Sequence, residues 1–396
     1  MNVERDPAEA GFDAQRLARI DRHFQRYVDD GKLPGFLAVV ARDGEVVHVA
    51  RYGLRDVEAG LPVEPDTLWR IYSMTKPITS VAAMLLWEEG AFELKDPVSR
   101  FVECFADMRV WRGGSPAKPV TAPATEPIRM WHLLTHTAGL TYGFHYGHPV
   151  DAMYRANGFE WSAPPGLDLA ACCEAWAELP LLFEPGSEWN YSVATDVLGR
   201  VIEVISGQTL DAFFAERILG PLGMSDTGFG ATDRARLAAL YTPGLIRDDA
   251  MGGRRPDFLS GGGGLVSSAA DYHRFTNMLL ADGRPLLGPR TLRFMARNHL
   301  PGGAELEAFA RPVAAFAETA FAGHGFGLGF SVVEDPVAAK IAASPGELAW
   351  GGAASTTFWV DRAERITALF FTQLLPSSTY ALRPQLRQLV YQALVD

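Results

Sequence analysis

The chain has 396 residues, 48% of them hydrophobic, and a net charge of −11, enough for one large domain or two to three ordinary ones around a well-filled core. Its acidic residues are scattered in clusters of two or three, such as Glu88-Glu89, and no basic stripe exists, which sets nucleic acid aside as a partner. Cys104, Cys172 and Cys173 are too few and too irregular for a disulfide framework or a cysteine-based zinc site, the first twenty residues carry no apolar export core with a small-residue cleavage site, and no run nears about eighteen uninterrupted apolar residues; the expectation is a soluble cytoplasmic protein with reduced thiols and no membrane partner.

From the N-terminus, Leu17, Ile20, Phe24 and Val28 recur at helical spacing up to Gly31, which predicts an amphipathic helix over 13–31 lying on a sheet. The β-branched runs 36–42 and 45–53 flank Asp43-Gly44, the strongest short-range signal for a hairpin. Residues 74–285 read mainly as helices broken by Pro/Gly loops at 111–127 and 142–166, and the glycines at 261–264 read as a place where backbones approach closely. Strand signatures return at 326–333, 355–361 and 365–374, before a last helix from about 380 to 395. The fold class is therefore α+β, an antiparallel sheet flanked by helices. Both chain ends, 1–73 and 286–396, would build the sheet domain, with the mainly helical region 74–285 inserted and a cleft between them.

Five lysines and seventeen serines give about 0.2 chance occurrences of Ser-x-x-Lys, so the motif carries a false-positive risk. The chain holds two. Ser115–Lys118 lies between Gly114 and Pro119 in a predicted loop that fixes neither side chain, and is set aside as coincidence. Ser73–Lys76 opens an apolar helix, where an (i, i+3) pair shares one face. An N-cap role accounts for Ser73, but not for Lys76. A cation in the first turn faces the positive end of the helix dipole, and breaches of a local rule concentrate at functional sites. That field, with desolvation, would lower the lysine's proton affinity and fit it to act as a base toward the serine hydroxyl.

A serine nucleophile also needs a proton shuttle and an oxyanion site. Pro185-Gly186 makes a turn, and the polar stretch through Ser192 ends before a helix with Val197, Leu198, Val201, Ile202 and Ile205 on its apolar face. Tyr191 then sits on a short anchored loop. Taken alone, it would be an ordinary packed tyrosine.

Together, Ser73-Met-Thr-Lys76, Tyr191-Ser192-Val193 and Trp350-Gly351-Gly352 resemble the three motifs of the serine β-lactamase and penicillin-binding-protein superfamily. More narrowly, they resemble the family VIII carboxylesterases, close to class C β-lactamases. The stretches 132–140, 183–192 and 261–275 agree with that group in order and spacing, and the likeness runs over roughly residues 12–395. The resemblance implies a β-lactamase/transpeptidase-like fold. It implies Ser73 as nucleophile, Lys76 and Tyr191 as coupled general base and acid, and the backbone N–H groups of Ser73 and of Ala353, after Trp350-Gly-Gly on an edge strand, as oxyanion hole. Trp350, Gly351, Gly352, Tyr142 and Val193 are expected at the substrate site. It implies no cofactor. Trp350-Gly-Gly replaces Lys-Thr-Gly and Val193 replaces the asparagine of Tyr-x-Asn, so the lysine that would bind a substrate carboxylate is missing. That favours small neutral carboxylic esters as substrates over β-lactams or peptides, with acyl transfer or weak β-lactam or amide hydrolysis as alternatives.

Rival constellations are incomplete. No serine has glycine at both −2 and +2, as a nucleophile elbow requires. His132, His136, His145 and His148 crowd into one segment, but Leu133 prevents His-Glu-x-x-His, so they are read as shaping a loop of the cleft rather than holding a metal. Asp196 stands four residues before Arg200 and reads as one half of a helical ion pair.

Overall fold

The computed structural model describes residues 1–161, 163–248, 255–310 and 322–395. The first predicted helix is a short turn over Ala14–Leu17 followed by α1 (Arg19–Asp29). Strands β1 (Gly35–Arg42) and β2 (Glu45–Asp56) form the hairpin expected around Asp43-Gly44. Asp43 and Gly44 both take positive φ, 56° and 89°, which the asparagine-like aspartate and the glycine tolerate best. The short β3 (Leu61–Pro62) and β4 (Leu68–Arg70) lead into α2 (Thr75–Glu88).

Two predicted loops contain regular structure. Residues 111–127 hold most of a hairpin, β5 (Arg109–Ser115) with β6 (Lys118–Pro123), whose tight turn carries the second Ser-x-x-Lys motif in an exposed position. Residues 142–166 hold α3 (Pro149–Ala156), begun by Pro149 and by a cap in which Asp151 and His148 bond each other's backbone. Helix α4 (Ala194–Ser206) follows the Tyr191 loop, β7 (Val266–Ser268) pairs with β4, and α5 (Ala269–Leu280) comes directly after.

The run 326–333 is split between two strands, β8 (His324–Phe326) and β9 (Ser331–Val333), joined by a turn in which Gly329 has φ 105°. β10 (Leu348–Gly351), β11 (Thr357–Asp361), β12 (Ile366–Phe371) and α6 (Leu382–Tyr391) complete the chain. The main sheet has eight antiparallel strands in the order β8-β9-β10-β11-β12-β1-β2-β3, so residues 35–62 and 324–371 meet in one layer through the pair β1–β12.

Strand β1 reads as continuously apolar because both its faces are covered. Phe36, Ala38 and Val40 join the cluster under α1 and α6, and Leu37, Val39 and Ala41 join the larger core on the other side. On the first face Phe24 of α1 packs against Phe36 and Phe370, with ring centroids 5.6 and 4.7 Å apart. On the second, Tyr272 of α5 packs on Phe358 at 5.3 Å, so α5, which the sequence reading placed in the helical region, lies on the sheet. Helix α2 is buried from Thr75 through Leu86, as a helix apolar all round should be. It packs against α4. Among the described residues no helix is long and apolar enough to cross a membrane.

Phe370 ties the N-terminal helix to the sheet, so Phe370→Ala should cost about 3–5 kcal/mol of folding stability. Chemical denaturation measures this; a loss below about 1 kcal/mol would mean that the three-ring contact is not a main fastening of this face.

Candidate active site

Ser73 sits in a single 3₁₀ turn, Tyr72–Met74, between β4 and α2. It is not the helix cap: Met74 occupies that position, and no side chain caps the helix there. Tyr72, just before it, has φ 44°, a strained value for an aromatic residue and of a kind found at functional turns. The turn is held from outside. The Gln373 side chain accepts from the Arg70 N–H at 3.1 Å and donates to the Arg70 carbonyl at 3.1 Å, so the end of the main sheet grips the strand that delivers Ser73.

Lys76, in the first turn of α2, is only 1% exposed. Its Nζ donates to the Gly262 carbonyl at 2.7 Å, the Tyr142 hydroxyl at 3.0 Å and Ser73 Oγ at 3.4 Å. Three acceptors match the three protons of an ammonium group. The ring of Tyr191 covers the same nitrogen, its centroid 4.4 Å away, a cation–π contact that adds further stabilisation to the buried charge.

The Tyr191 loop is anchored on every side. Asn190 donates to the Leu140 carbonyl at 2.9 Å, and His145 donates from Nε2 to the Tyr191 carbonyl at 2.6 Å. The rings of His136 and Trp350 lie 4.9 and 5.5 Å from that of Tyr191, and Trp350 Nε1 reaches its hydroxyl at 3.4 Å. Val193 does not join this group. It is 4% exposed, packs in the core at the start of α4, and lies outside the cleft wall, because the residue before the first helical turn points inward here.

Strand β10 lies inside the sheet rather than at its edge. Leu348 and Ala349 pair with β9, while Trp350 and Gly351 pair only with β11 among the described residues, so the edge is local and faces the cleft. A Cβ on Gly352 would lie 2.4 Å from the Ile71 carbonyl, and glycine alone lets this backbone press so closely on the Ser73 turn. Ala353 follows it into the cleft lining beside Ser73. Tyr142, Tyr191, Trp350, Gly351 and Gly352 line the same cleft, whose volume is about 800 Å³ and whose walls include Phe144, Phe229, Leu240 and Phe258.

One residue the sequence reading discounted belongs to this site. Asp196 makes no pair with Arg200, which binds Glu203 at 3.0 Å instead. Its carboxylate is 2% exposed and accepts from Ser260 Oγ at 2.5 Å and from the Gly262 N–H at 2.9 Å. Burial pushes the Asp196 carboxyl above its ordinary range, against the pull of Lys76 and of its two donors, Ser260 and Gly262. Burial, then Asp196, pushes the Tyr142 phenol up as well. The signal for the site in sequence was the glycine run: a Cβ on Gly262 would lie 2.6 Å from Asp196 and 2.9 Å from the Tyr142 hydroxyl.

The four clustered histidines hold separate partners. His132 accepts from the Arg129 N–H, His136 meets Ser192 Oγ, His145 holds the Tyr191 carbonyl and His148 caps α3. Among the described residues no group of three or more ligands could hold a metal ion.

Comparison with known proteins identifies the family. The Beta-lactamase family model matches residues 20–392, and the chain belongs to that family. It is 34% identical over 393 residues to esterase EstB of Burkholderia gladioli, covering 93% of each chain. The structure of EstCE1, described as a hydrolase with promiscuous acyltransferase activity, superposes with a TM-score of 0.80 at 30% identity, over 95% of this chain and 99% of that one. A LovD6 mutant of simvastatin synthase from Aspergillus terreus gives a TM-score of 0.82 at 25% identity, over 96% and 95%.

Burial holds His136, His145, His273, His299 and His324 below the ordinary histidine value and takes His132 down to about 3. The unfolded chain then binds protons below about pH 6.5 that the folded chain refuses, so stability rises with pH through that window. Asp196, Asp271 and Glu347, raised by burial, act in the opposite sense but are fewer. The melting temperature should be several degrees lower at about pH 5.5 than at about pH 7.5; a flat or inverted profile would contradict the buried neutral histidines.

Proposed function

We propose that the protein is a serine carboxylesterase that cleaves small carboxylic esters through an acyl-enzyme on Ser73. The observation that carries this reading is the buried Lys76 amine, 3.4 Å from Ser73 Oγ and covered by Tyr191, at the floor of a cleft with aromatic and aliphatic walls. The esterase names of EstB and EstCE1's hydrolase description support the same class.

In the neutral state Lys76 takes the Ser73 proton as Oγ attacks the ester carbonyl. The developing oxyanion meets the N–H groups of Ser73 and Ala353, a type of contact worth about 10²–10³ in rate. Collapse of the tetrahedral adduct expels the alcohol, which takes its proton from the Lys76–Tyr191 pair, with Tyr191 donating at the cleft face. Water then enters along the same path and gives a proton to the pair as it attacks the acyl carbon, and the pair returns that proton to Ser73 Oγ as the acyl–Oγ bond breaks and the acid leaves. Trp350, packed on Tyr191 and Phe326, sets the tyrosine's position and offers an apolar wall where a cation would select acids. No step calls on a cofactor.

Acyl transfer is the second reading, favoured by EstCE1's promiscuous acyltransferase activity and by simvastatin synthase. An alcohol in the cleft competes with water for one acyl-enzyme, and product analysis with and without added alcohol separates the two outcomes. A nitrocefin assay beside the ester assay ranks β-lactam cleavage, expected to be the weaker.

Ser73→Ala should lower hydrolysis of p-nitrophenyl butyrate by at least about 10³-fold, and Lys76→Ala by a similar factor, because members of one catalytic unit fail together. Retention of substantial activity by Ser73→Ala would sink the assignment.

A further inference from the structure

Three aromatic side chains of the 142–161 segment line the cleft as a stacked row. The rings of Tyr142 and Phe144 lie 4.6 Å apart, centre to centre, and 18° from parallel; those of Phe144 and Trp161 lie 5.0 Å apart at 25°. The row begins at the Tyr142 hydroxyl, 3.0 Å from Lys76 Nζ, and ends at Trp161, which is 58% exposed. It therefore runs from Lys76 to the mouth of the cleft.

Its geometry is fixed by the backbone around it. Buried Asp151 of α3 accepts from Thr141 Oγ1 at 2.8 Å and from the N–H groups of Gly147 and His148 at 3.0 and 2.8 Å. These bonds close the loop that bears Tyr142 and Phe144. Arg155, one turn further along α3, donates to the Gly143 carbonyl. A Cβ on Gly143 would lie 2.2 Å from the Phe159 carbonyl, so glycine lets residues 159–161 cross here and set Trp161 on Phe144. A wall already in place binds without an ordering cost.

Parallel rings show their edges along the side of a stack and a face only at its end. A further aromatic ring fits either surface, face on edges or face on face, whereas a saturated ring of the same size gains burial alone. A tryptophan left more than half in water at the rim also forgoes burial that a partner ring would restore. Resting on the reading of Ser73 as nucleophile, we propose that Tyr142, Phe144 and Trp161 select esters that carry an aromatic ring on their acyl or alcohol part. Phe258, whose ring meets Trp176 edge-on at 6.1 Å, lines the same cleft and adds to the aromatic surface. Trp161 is then a specificity-determining residue, which touches the substrate and takes no part in making or breaking bonds.

The test compares kcat/KM within two pairs of esters matched in size and leaving group, each value divided by the rate with hydroxide. Methyl phenylacetate against methyl cyclohexylacetate probes the acyl part, and benzyl acetate against cyclohexylmethyl acetate the alcohol part. A contact between aromatic rings gives about two- to tenfold, so at least one pair should favour its aromatic member by about threefold or more. The pair that does so assigns the ring to the acyl or the alcohol side. Trp161→Leu, an exchange at an exposed rim position, should bring that ratio to about one, and Trp161→Phe, which keeps a ring, should retain it. Equal rates within both pairs, a preference kept by Trp161→Leu, or one lost equally by Trp161→Phe would overturn the proposal. Labelling of Ser73 by benzyl and cyclohexylmethyl fluorophosphonates reads the wall without ester cleavage. Protein that labels with an aromatic preference but cleaves no ester loses the esterase reading and keeps the wall. Protein that cleaves esters with no preference keeps the esterase reading and loses the wall, and protein that neither labels nor cleaves overturns both.

Discussion

Burying an amine in the first turn of an apolar helix is the constraint on which the rest of the site depends. An uncompensated charge there would cost several kcal/mol, so each Lys76 proton needs an acceptor. Ser73 and Tyr142 supply two of them. The third, the Gly262 carbonyl, reaches Lys76 because the 261–264 segment lies against α2 and α4, where a Cβ on Gly261 would be 2.8 Å from the Thr195 carbonyl. Thr79, one turn along α2, donates to the Gly261 carbonyl at 2.6 Å, and Asp196 holds the Gly262 N–H from α4. The glycine run, the two helices and the lysine thus form one unit.

The sheet meets that unit at the nucleophile. Gln373 clamps Arg70, Gly352 presses on Ile71, and Arg383 of α6 donates to the Gly352 and Thr356 carbonyls at 2.9 and 3.2 Å. Tyr191 is placed from the other side by Trp189, His136 and Trp350, with Phe326 behind them. Groups set on strands and helices and locked by packed neighbours hold catalytic geometry better than groups on free loops. The Ser73 turn is short and strained, yet bound at both ends.

Much of this was legible in the sequence where local chemistry and tertiary context agree. Asp43-Gly44 encodes its hairpin whatever surrounds it, and the Ser73–Lys76 spacing places both side chains on one face. The readings that failed are those where packing overrides a local pattern. Asp196 and Arg200 have ion-pair spacing, but α4 turns Asp196 into the core and leaves Arg200 near the surface beside Glu203. Val193 follows a catalytic motif, yet its side chain falls on the buried side of the helix start. The stretch 109–123 is rich in Gly and Pro and looks like a loop, because its strands gain their pairing from each other rather than from a buried face. Helix α3 had a readable start, Pro149 with Asp151 two positions on, hidden by the polar and aromatic residues around it.

A covalent intermediate on one serine is the central claim, and it can be weighed directly. Mass spectrometry of protein mixed with p-nitrophenyl butyrate and quenched in acid within the first turnovers should show a single butyryl addition, mapped by digestion to the peptide bearing Ser73 and absent from Ser73→Ala. Ester hydrolysis with no adduct, or with the adduct on another residue, would contradict the account.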